Sequence, residues 1–346
     1  MRYNKDMLEK EIILAVETSC DETAVAVLAN GREILADIVS SQVDTHRRFG
    51  GVVPEIASRH HLEQVNRLID LALNEAKIGF SALAAVCVTY GPGLVGALLV
   101  GVSTAKSLAY SLGLPLVAVN HIEGHIYANW LVRFREPEFP LACLVVSGGH
   151  TALIEMTGHG DYRLLGQTQD DAAGEAYDKV ARALGLGYPG GPALEALARE
   201  GNPAALRLPR AWLGEESFDF SFSGLKTAVL NCLNRAAQKG EEVNKADLAA
   251  AFQSSVVEVL VEKTVRAAKS RGLKMVLLAG GVAANSLLRE EMSRRCEEER
   301  LGLLYPPLMY CTDNAAMIGC AGYYRFKRGE RAGWNLNAVP GLKLFS

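Results

Sequence analysis

A plan of apolar runs and polar turns occurs twice along this chain, and that repetition limits its fold more than any other feature of the sequence. Ile12–Val16 ends in the polar turn Glu17-Thr18-Ser19-Cys20-Asp21-Glu22, Ala24–Leu28 follows, and Asn30-Gly31 separates it from Glu33–Val39. Apolar runs divided by such turns read as antiparallel strands, with Asn-Gly as the hairpin signal. About 130 residues further on, Leu141–Val146 leads into Ser147-Gly148-Gly149-His150, then Thr151–Met156, a glycine-rich turn and Tyr162–Gln167. The later parts correspond too. Ala84–Thr89 runs into Gly91-Pro92-Gly93 and an apolar helix, and Lys274–Leu278 runs into Gly280-Gly281 and a helix from Ala283. Strand, glycine turn and helix together bring backbone N–H groups up to a phosphate. A single occurrence is as often an ordinary structural connection. Two on one plan predict two related α/β lobes with a ligand cleft between them.

Length and composition fit that reading. With 346 residues the chain can build two cores, and 49% apolar against 22% charged residues is the balance of a globular protein. The expected division is a first lobe over 1–135, a second over 136–314, and a terminal helix, about 315–346, returning to the first. Val132–Pro140, charged and proline-bearing, reads as the connection, and about 199–223 as an irregular insertion, an active-site lid. A net charge of −3 argues against a free-standing nucleic-acid binder but not against an enzyme that borrows its affinity from a local patch or a partner. Seven scattered cysteines without a CxxC pair exclude a disulfide framework and a cysteine-built zinc site. Met1–Glu11 is charged and lacks an apolar signal core, and the apolar stretch Leu94–Val102 soon meets Lys106. The expectation is a soluble, cytoplasmic protein with no membrane contact.

His121-Ile122-Glu123-Gly124-His125 follows the apolar strand Leu116–Val119. On a helix, positions i and i+4 share one face, so both imidazoles can reach one ion. Two histidines at this spacing are also common as plain surface or core residues. Zinc peptidases place their general-base Glu directly after the first His. Here Glu123 lies two positions on, roughly 200° around a helix from His121, and would point away from a metal. A third ligand is expected from the other lobe. Asp313, ahead of a small-residue helix, is either an N-cap or the carboxylate of a two-His, one-carboxylate site. Such a site suits Fe(II) or Zn(II).

Taken together, these motifs closely resemble the TsaD family of tRNA N6-adenosine threonylcarbamoyltransferases, older usage Gcp. The matching segments run in order from Glu17–Thr23 through Tyr90–Leu94, His121–His125, Val146–Thr151, Asp170–Lys179, Tyr188–Pro192, Phe222–Lys226 and Gly280–Asn285 to Asp313–Ala316. The resemblance implies a two-lobed actin-like fold (the sugar kinase and Hsp70-like, or ASKHA, class) with duplicated ribonuclease-H-like lobes. It implies transfer of threonylcarbamoyl from threonylcarbamoyl-AMP to N6 of the adenosine beside the anticodon, in tRNAs reading codons that begin with A. By the same resemblance His121, His125 and Asp313 are metal ligands for one divalent ion per subunit, Fe(II) ahead of Zn(II). Val146, Ser147, Gly148, Gly149, His150, Asp178, Gly191 and Asn285 are the adenylate site. The family often has Asp where this chain has Glu195, a longer acid that can still reach a ribose hydroxyl. Implied partners are tRNA, a TsaB-like paralogue, a TsaE-like ATPase and a TsaC-like enzyme that makes the donor.

Attack by an exocyclic amine needs a proton acceptor, and the turn carrying Asp21 and Glu22 faces the cleft in an actin-like lobe, so these are the candidate bases. Cys20 shares that turn, but without an adjacent histidine direct transfer is simpler than a covalent intermediate. Arg47, Arg48, Arg59, His60 and His61, and the run Arg325–Arg331, are possible tRNA-facing cations, although charge runs usually form solvated faces. The rival readings are an ATP-binding actin-like chaperone or scaffold, a sugar kinase and a metallopeptidase.

Overall fold

The computed structural model describes residues 10–132, 136–214 and 216–344. It divides into two compact units, one formed by 1–136 with 306–346 and the other by 137–305. Residues 133–135 of the expected connection, and most of the charged N-terminus, lie outside the described residues.

Unit 1 holds strands β1 (Ile12–Glu17), β2 (Glu22–Ala29), β3 (Glu33–Ser41), β4 (Leu83–Gly91) and β5 (Leu116–Asn120). Its helices are α1 (Val43–Arg47), α2 (Pro54–Ala76), α3 (Val95–Leu112) and α4 (His121–Tyr127). Unit 2 holds β6 (Leu141–Val146), β7 (Thr151–Gly158), β8 (Asp161–Gln167), β9 (Met275–Ala279) and β10 (Gly302–Leu304). Its helices are α5 (Ala173–Ala183), α6 (Gly190–Ala198), α7 (Ser223–Lys239), α8 (Lys245–Ser270) and α9 (Ser286–Glu298), and the chain then re-enters unit 1 for α10 (Ala315–Lys327).

The sheets run β3-β2-β1-β4-β5 and, read from the other edge, β8-β7-β6-β9-β10. Each has two antiparallel pairs, then two parallel ones. The duplication read from the sequence is therefore a duplication of topology. In unit 1 the alternation of strand side chains serves two layers of helix. Ile12, Leu14 and Val16 join Val65, Leu68 and Ile69 of α2 and Val102 and Ala105 of α3. Ala15 faces α10 instead, where a Cβ on Gly319 would stand 3.2 Å from it. Burial on both faces explains why β1 is a continuous apolar run, whereas β3 at the edge is half exposed.

By length and composition α3 is apolar enough to cross a membrane. In this unit its Ala97, Leu98, Gly101, Val102, Ala105 and Ala109 are buried, with α2 and β4 as neighbours. The insertion is irregular and is fastened to unit 2. Phe220 bridges to Thr168, and the Lys263 ammonium of α8 donates to the carbonyls of Trp212 (2.7 Å) and Asp219.

Candidate metal centre and ligand loops

Helix α4 begins where it does because Asn120 caps it, its side-chain oxygen accepting from the N–H groups of Ile122 (2.8 Å) and Glu123 (3.4 Å). That start puts His121 and His125 on one face, their rings 4.7 Å apart and nearly perpendicular. Asp313 Oδ1 lies 3.4 Å from His121 Nε2 and 3.3 Å from His125 Nε2. One ligand atom from each of the three can be chosen within 4.8 Å of the others, close enough to share an ion. Asp313 is not the N-cap of α10: Asn314 is, with Oδ1 accepting from Met317 N (2.9 Å), which frees the Asp313 carboxylate for the histidines. Nor does it come from the other lobe. The chain re-enters unit 1 at Pro306, so all three residues stand on one unit.

A fully buried carboxylate that sequence reasoning missed completes the arrangement. Glu17, the last residue of β1, sits 3.1 Å from His121 Nδ1 and accepts from Thr89 Oγ1 and Ser19 N, both at 2.5 Å. A carboxylate on Nδ1 holds that proton and leaves Nε2 to bind. Burial alone would depress His121, but Asp313 and Glu17 together raise it well above the ordinary imidazole range. Burial likewise opposes charge on Asp313 and Glu17, yet the adjoining imidazoles hold both below the usual carboxylate range. Two carboxylates against one imidazole favour positive charge here, whether a proton on His121 or a cation that displaces it.

Glu123 points away, as its spacing predicts. It is fully buried and accepts from Arg325 Nε at 2.6 Å, which leaves the histidines without a peptidase-type base.

The turn after β1 carries the candidate bases beside this cluster. Asp21 is 6% exposed, and its Oδ2 is buried without a hydrogen-bond partner among the described residues. Glu22 accepts from Ser41 Oγ (3.0 Å), and burial, Asp313 and Asp21 push it up to about 9. Burial first, then Asp21 and Asp313, drive the Cys20 thiol far above the range of a nucleophile. His61, expected among the outward cations, is buried instead and ties the turn down, at 2.7 Å from Thr23 Oγ1 and 2.9 Å from the Cys20 carbonyl. The run Arg325–Arg331 is also engaged within the chain: Arg325 and Arg328 hold Glu330, Lys327 holds Glu11, and Arg331 lies over the Phe326 ring.

In unit 2 the residues expected to hold the adenylate lie in the loops after β6 and β9 and on α5 and α6. Ser147 N donates to His150 O (2.8 Å), His150 N to Ser147 Oγ (3.1 Å), and Gly174 N to Ser147 O (3.2 Å). Gly280, at φ +90°, closes on the Val146 carbonyl. Added Cβ atoms on Gly148, Gly149, Gly191 and Gly281 would meet nothing within 4 Å among the described residues. Asp178 Oδ1 accepts from Gly190 N (3.0 Å); burial raises its pKa, with the Gly190 and Gly191 amides pulling the other way. Asn285 is turned inward, capping α9 through Leu288 N (3.0 Å) and donating to Gln253 Oε1 (2.9 Å). Glu195 Oε1 accepts from Ser286 Oγ (2.5 Å) and Ser286 N (3.1 Å).

The Gly91-Pro92-Gly93 turn behaves differently from its expected phosphate role. Gly93 N donates to Pro340 O (3.1 Å), Leu94 N to Ser19 O (2.8 Å), and Val339 N to Tyr90 O (2.7 Å). The turn grips the chain's own C-terminal segment.

Two units with one ribonuclease-H-like strand order define an actin-like, ASKHA-class protein, and solved structures agree on the fold. Full-length HypF aligns with a TM-score of 0.61 at 14% identity, over 94% of this chain and 47% of its own. Component A of the Acidaminococcus fermentans (R)-2-hydroxyglutaryl-CoA dehydratase aligns with a TM-score of 0.51 at 16% identity, over 92% and 98%. The family model for TsaD, tRNA N6-adenosine threonylcarbamoyltransferase, matches residues 33–320. Proteins of that name from Geobacillus kaustophilus and Moorella thermoacetica are 59% and 58% identical, each over 98% of this chain and 98% and 99% of their own. The chain belongs to the TsaD family.

Proposed function

We propose that this chain transfers the threonylcarbamoyl group from threonylcarbamoyl-AMP to N6 of the adenosine beside the anticodon, in tRNAs that read codons beginning with A. The similarity to tRNA N6-adenosine threonylcarbamoyltransferases along 98% of the chain carries this reading. A nucleotide-switch chaperone has no use for the paired imidazoles, which favour softer metals than the Mg(II) of such switches.

His121, His125 and Asp313 would hold one divalent ion, Fe(II) ahead of Zn(II), with Glu17 fixing the His121 tautomer. The residues fit such a group: two Nε2 atoms and one carboxylate oxygen converge, and one ring already has its second nitrogen on a carboxylate. When bound, the ion supplies Lewis acidity toward oxygens of the donor. Gly148 and Gly149 leave room for a phosphate against their backbone, and amides there would stabilise charge on the departing AMP. Asp178 and Gly191, with Glu195 and Asn285, would hold the nucleoside, Glu195 exchanging Ser286 for a ribose hydroxyl. The proton of the attacking amine goes to Asp21 or Glu22, which share the turn beside the metal cluster, Asp21 Oδ2 having no hydrogen-bond partner among the described residues. No bond to Cys20 is needed.

We place the reaction in the cytoplasm, with a TsaB-like paralogue, a TsaE-like ATPase and donor from a TsaC-like enzyme. Purified chain with these partners, threonylcarbamoyl-AMP and unmodified tRNA should yield threonylcarbamoyladenosine by nucleoside mass spectrometry, and His121→Ala should not. Full activity of that variant would overturn the metal role; absence of product from wild type would overturn the function.

A further inference from the structure

The HIEGH segment contains two residues that the ligand set leaves unused, Glu123 and Gly124, and both face α10. A helix of only seven residues has little stability of its own, so neighbours set its rotation and depth. Gly124 marks the closest approach, since a Cβ there would lie 2.6 Å from Ile318 Cδ1 and 3.3 Å from Met317 Cγ. Those residues form the first turn of α10, directly after Asp313 and its capping neighbour Asn314. Two turns on, Arg325 reaches back to Glu123 with Nε at 2.6 Å from Oε2, and its Nη1 is held by Glu330 at 2.7 Å. Tyr127 packs on Tyr324 beside this pair, ring centroids 5.3 Å apart. Turning α4 about its axis would therefore swing both imidazoles against Asp313, and the charged pair resists that turn.

A buried ion pair adds little stability over apolar side chains of similar volume, so its use here is sought in the orientation it holds. We infer that Glu123 and Arg325 are positioning residues that lock the rotation of α4 against α10 and so set the spacing of His121 and His125 from Asp313. The inference rests on the metal reading of that triad. Glu123, which a peptidase reading would recruit as a base, then works from behind the helix.

The test is a titration of the purified full chain with Co(II), followed by its visible absorption bands and by thermal melting with and without the ion. Glu123→Gln keeps size but loses the charge; Arg325→Lys keeps the charge; Glu123→Leu with Arg325→Met removes the pair without leaving a lone buried charge. The expected result is Co(II) binding weakened about 10–100-fold in Glu123→Gln, with altered bands. The double variant should melt near wild type and still bind weakly, while Arg325→Lys keeps most of the affinity. If the variants melt lower but bind Co(II) as tightly as wild type, with unchanged bands, the pair is merely structural and the inference fails. If wild type binds no Co(II), the metal reading fails and takes the inference with it.

Discussion

After β4 in unit 1, Gly91 and Gly93 press against Val339 and Ser19, whereas after β6 and β9 in unit 2, Gly148, Gly149 and Gly281 stand beside open space. The two units share a strand order, and both place glycine where a strand gives way to a helix or turn. In unit 1 these glycines let the chain close on itself; in unit 2 Gly280 does the same against the Val146 carbonyl, while Gly148, Gly149 and Gly281 leave backbone uncovered. A motif defined by residue type and strand position therefore does not say what lies opposite it.

Substitution should separate the two uses sharply. An added methyl at Gly91 would overlap the Val339 carbonyl oxygen, so Gly91→Ala should cost about 3 kcal/mol or more and release the C-terminal segment, read by denaturant unfolding and proteolysis there. An ordinary surface-like loss would break the contrast.

The next effect contrasts two acids that each serve a helix N-terminus. Asp37 of β3 accepts from the Ala316 and Ala315 amides of α10, yet burial dominates and pushes it up to about 6. A raised carboxyl binds more protons folded than unfolded, so it costs nothing below the unfolded value near 4. The penalty grows as pH rises to about 6 and then stays, at about 3 kcal/mol by linkage. Asp37→Asn should thus raise the melting temperature at pH 7 and change it little at pH 4. In unit 2, Asp170 accepts from Ser221 Oγ, Ser223 Oγ and the Phe222 amide, and these overcome burial to lower its pKa. Its support is present above the unfolded value and fades as pH falls toward the folded one. Asp170→Asn should be destabilising at neutral pH and lose its effect in acid, the opposite sign to Asp37.

A smaller change is expected at Glu17. Glu17→Gln can present an N–H where His121 Nδ1 needs an acceptor, and should weaken divalent-ion binding about 10–100-fold by competition titration. The smallest stability effect belongs to Gly148→Ala, within about 1 kcal/mol of wild type, because the methyl enters open space. Calorimetry should nonetheless show weaker adenylate binding, and unchanged affinity would remove Gly148 from the ligand site.

Periodicity and turn chemistry made much of this protein legible in advance. All the strands but the three-residue β10 were readable because each is a short apolar run bounded by polar or glycine turns, and Leu141–Val146 starts and ends where the run does. Helical spacing put His121 and His125 on one face and Glu123 behind them, since those angles depend only on 3.6 residues per turn. What opposes each residue is a long-range matter, and there local pattern was silent. Only the return of the chain at Pro306 put Asp313 on the unit of the histidines, and only the end of β1 brought Glu17 to the Nδ1 of His121, 104 positions away. Greater separations in sequence hid Arg325 from Glu123, 202 positions apart, and Val339 from Gly91. Local energetics specify which element forms, but burial and partner choice arise when the elements meet, and there the chain's own closure decided which glycines and carboxylates were left for a ligand.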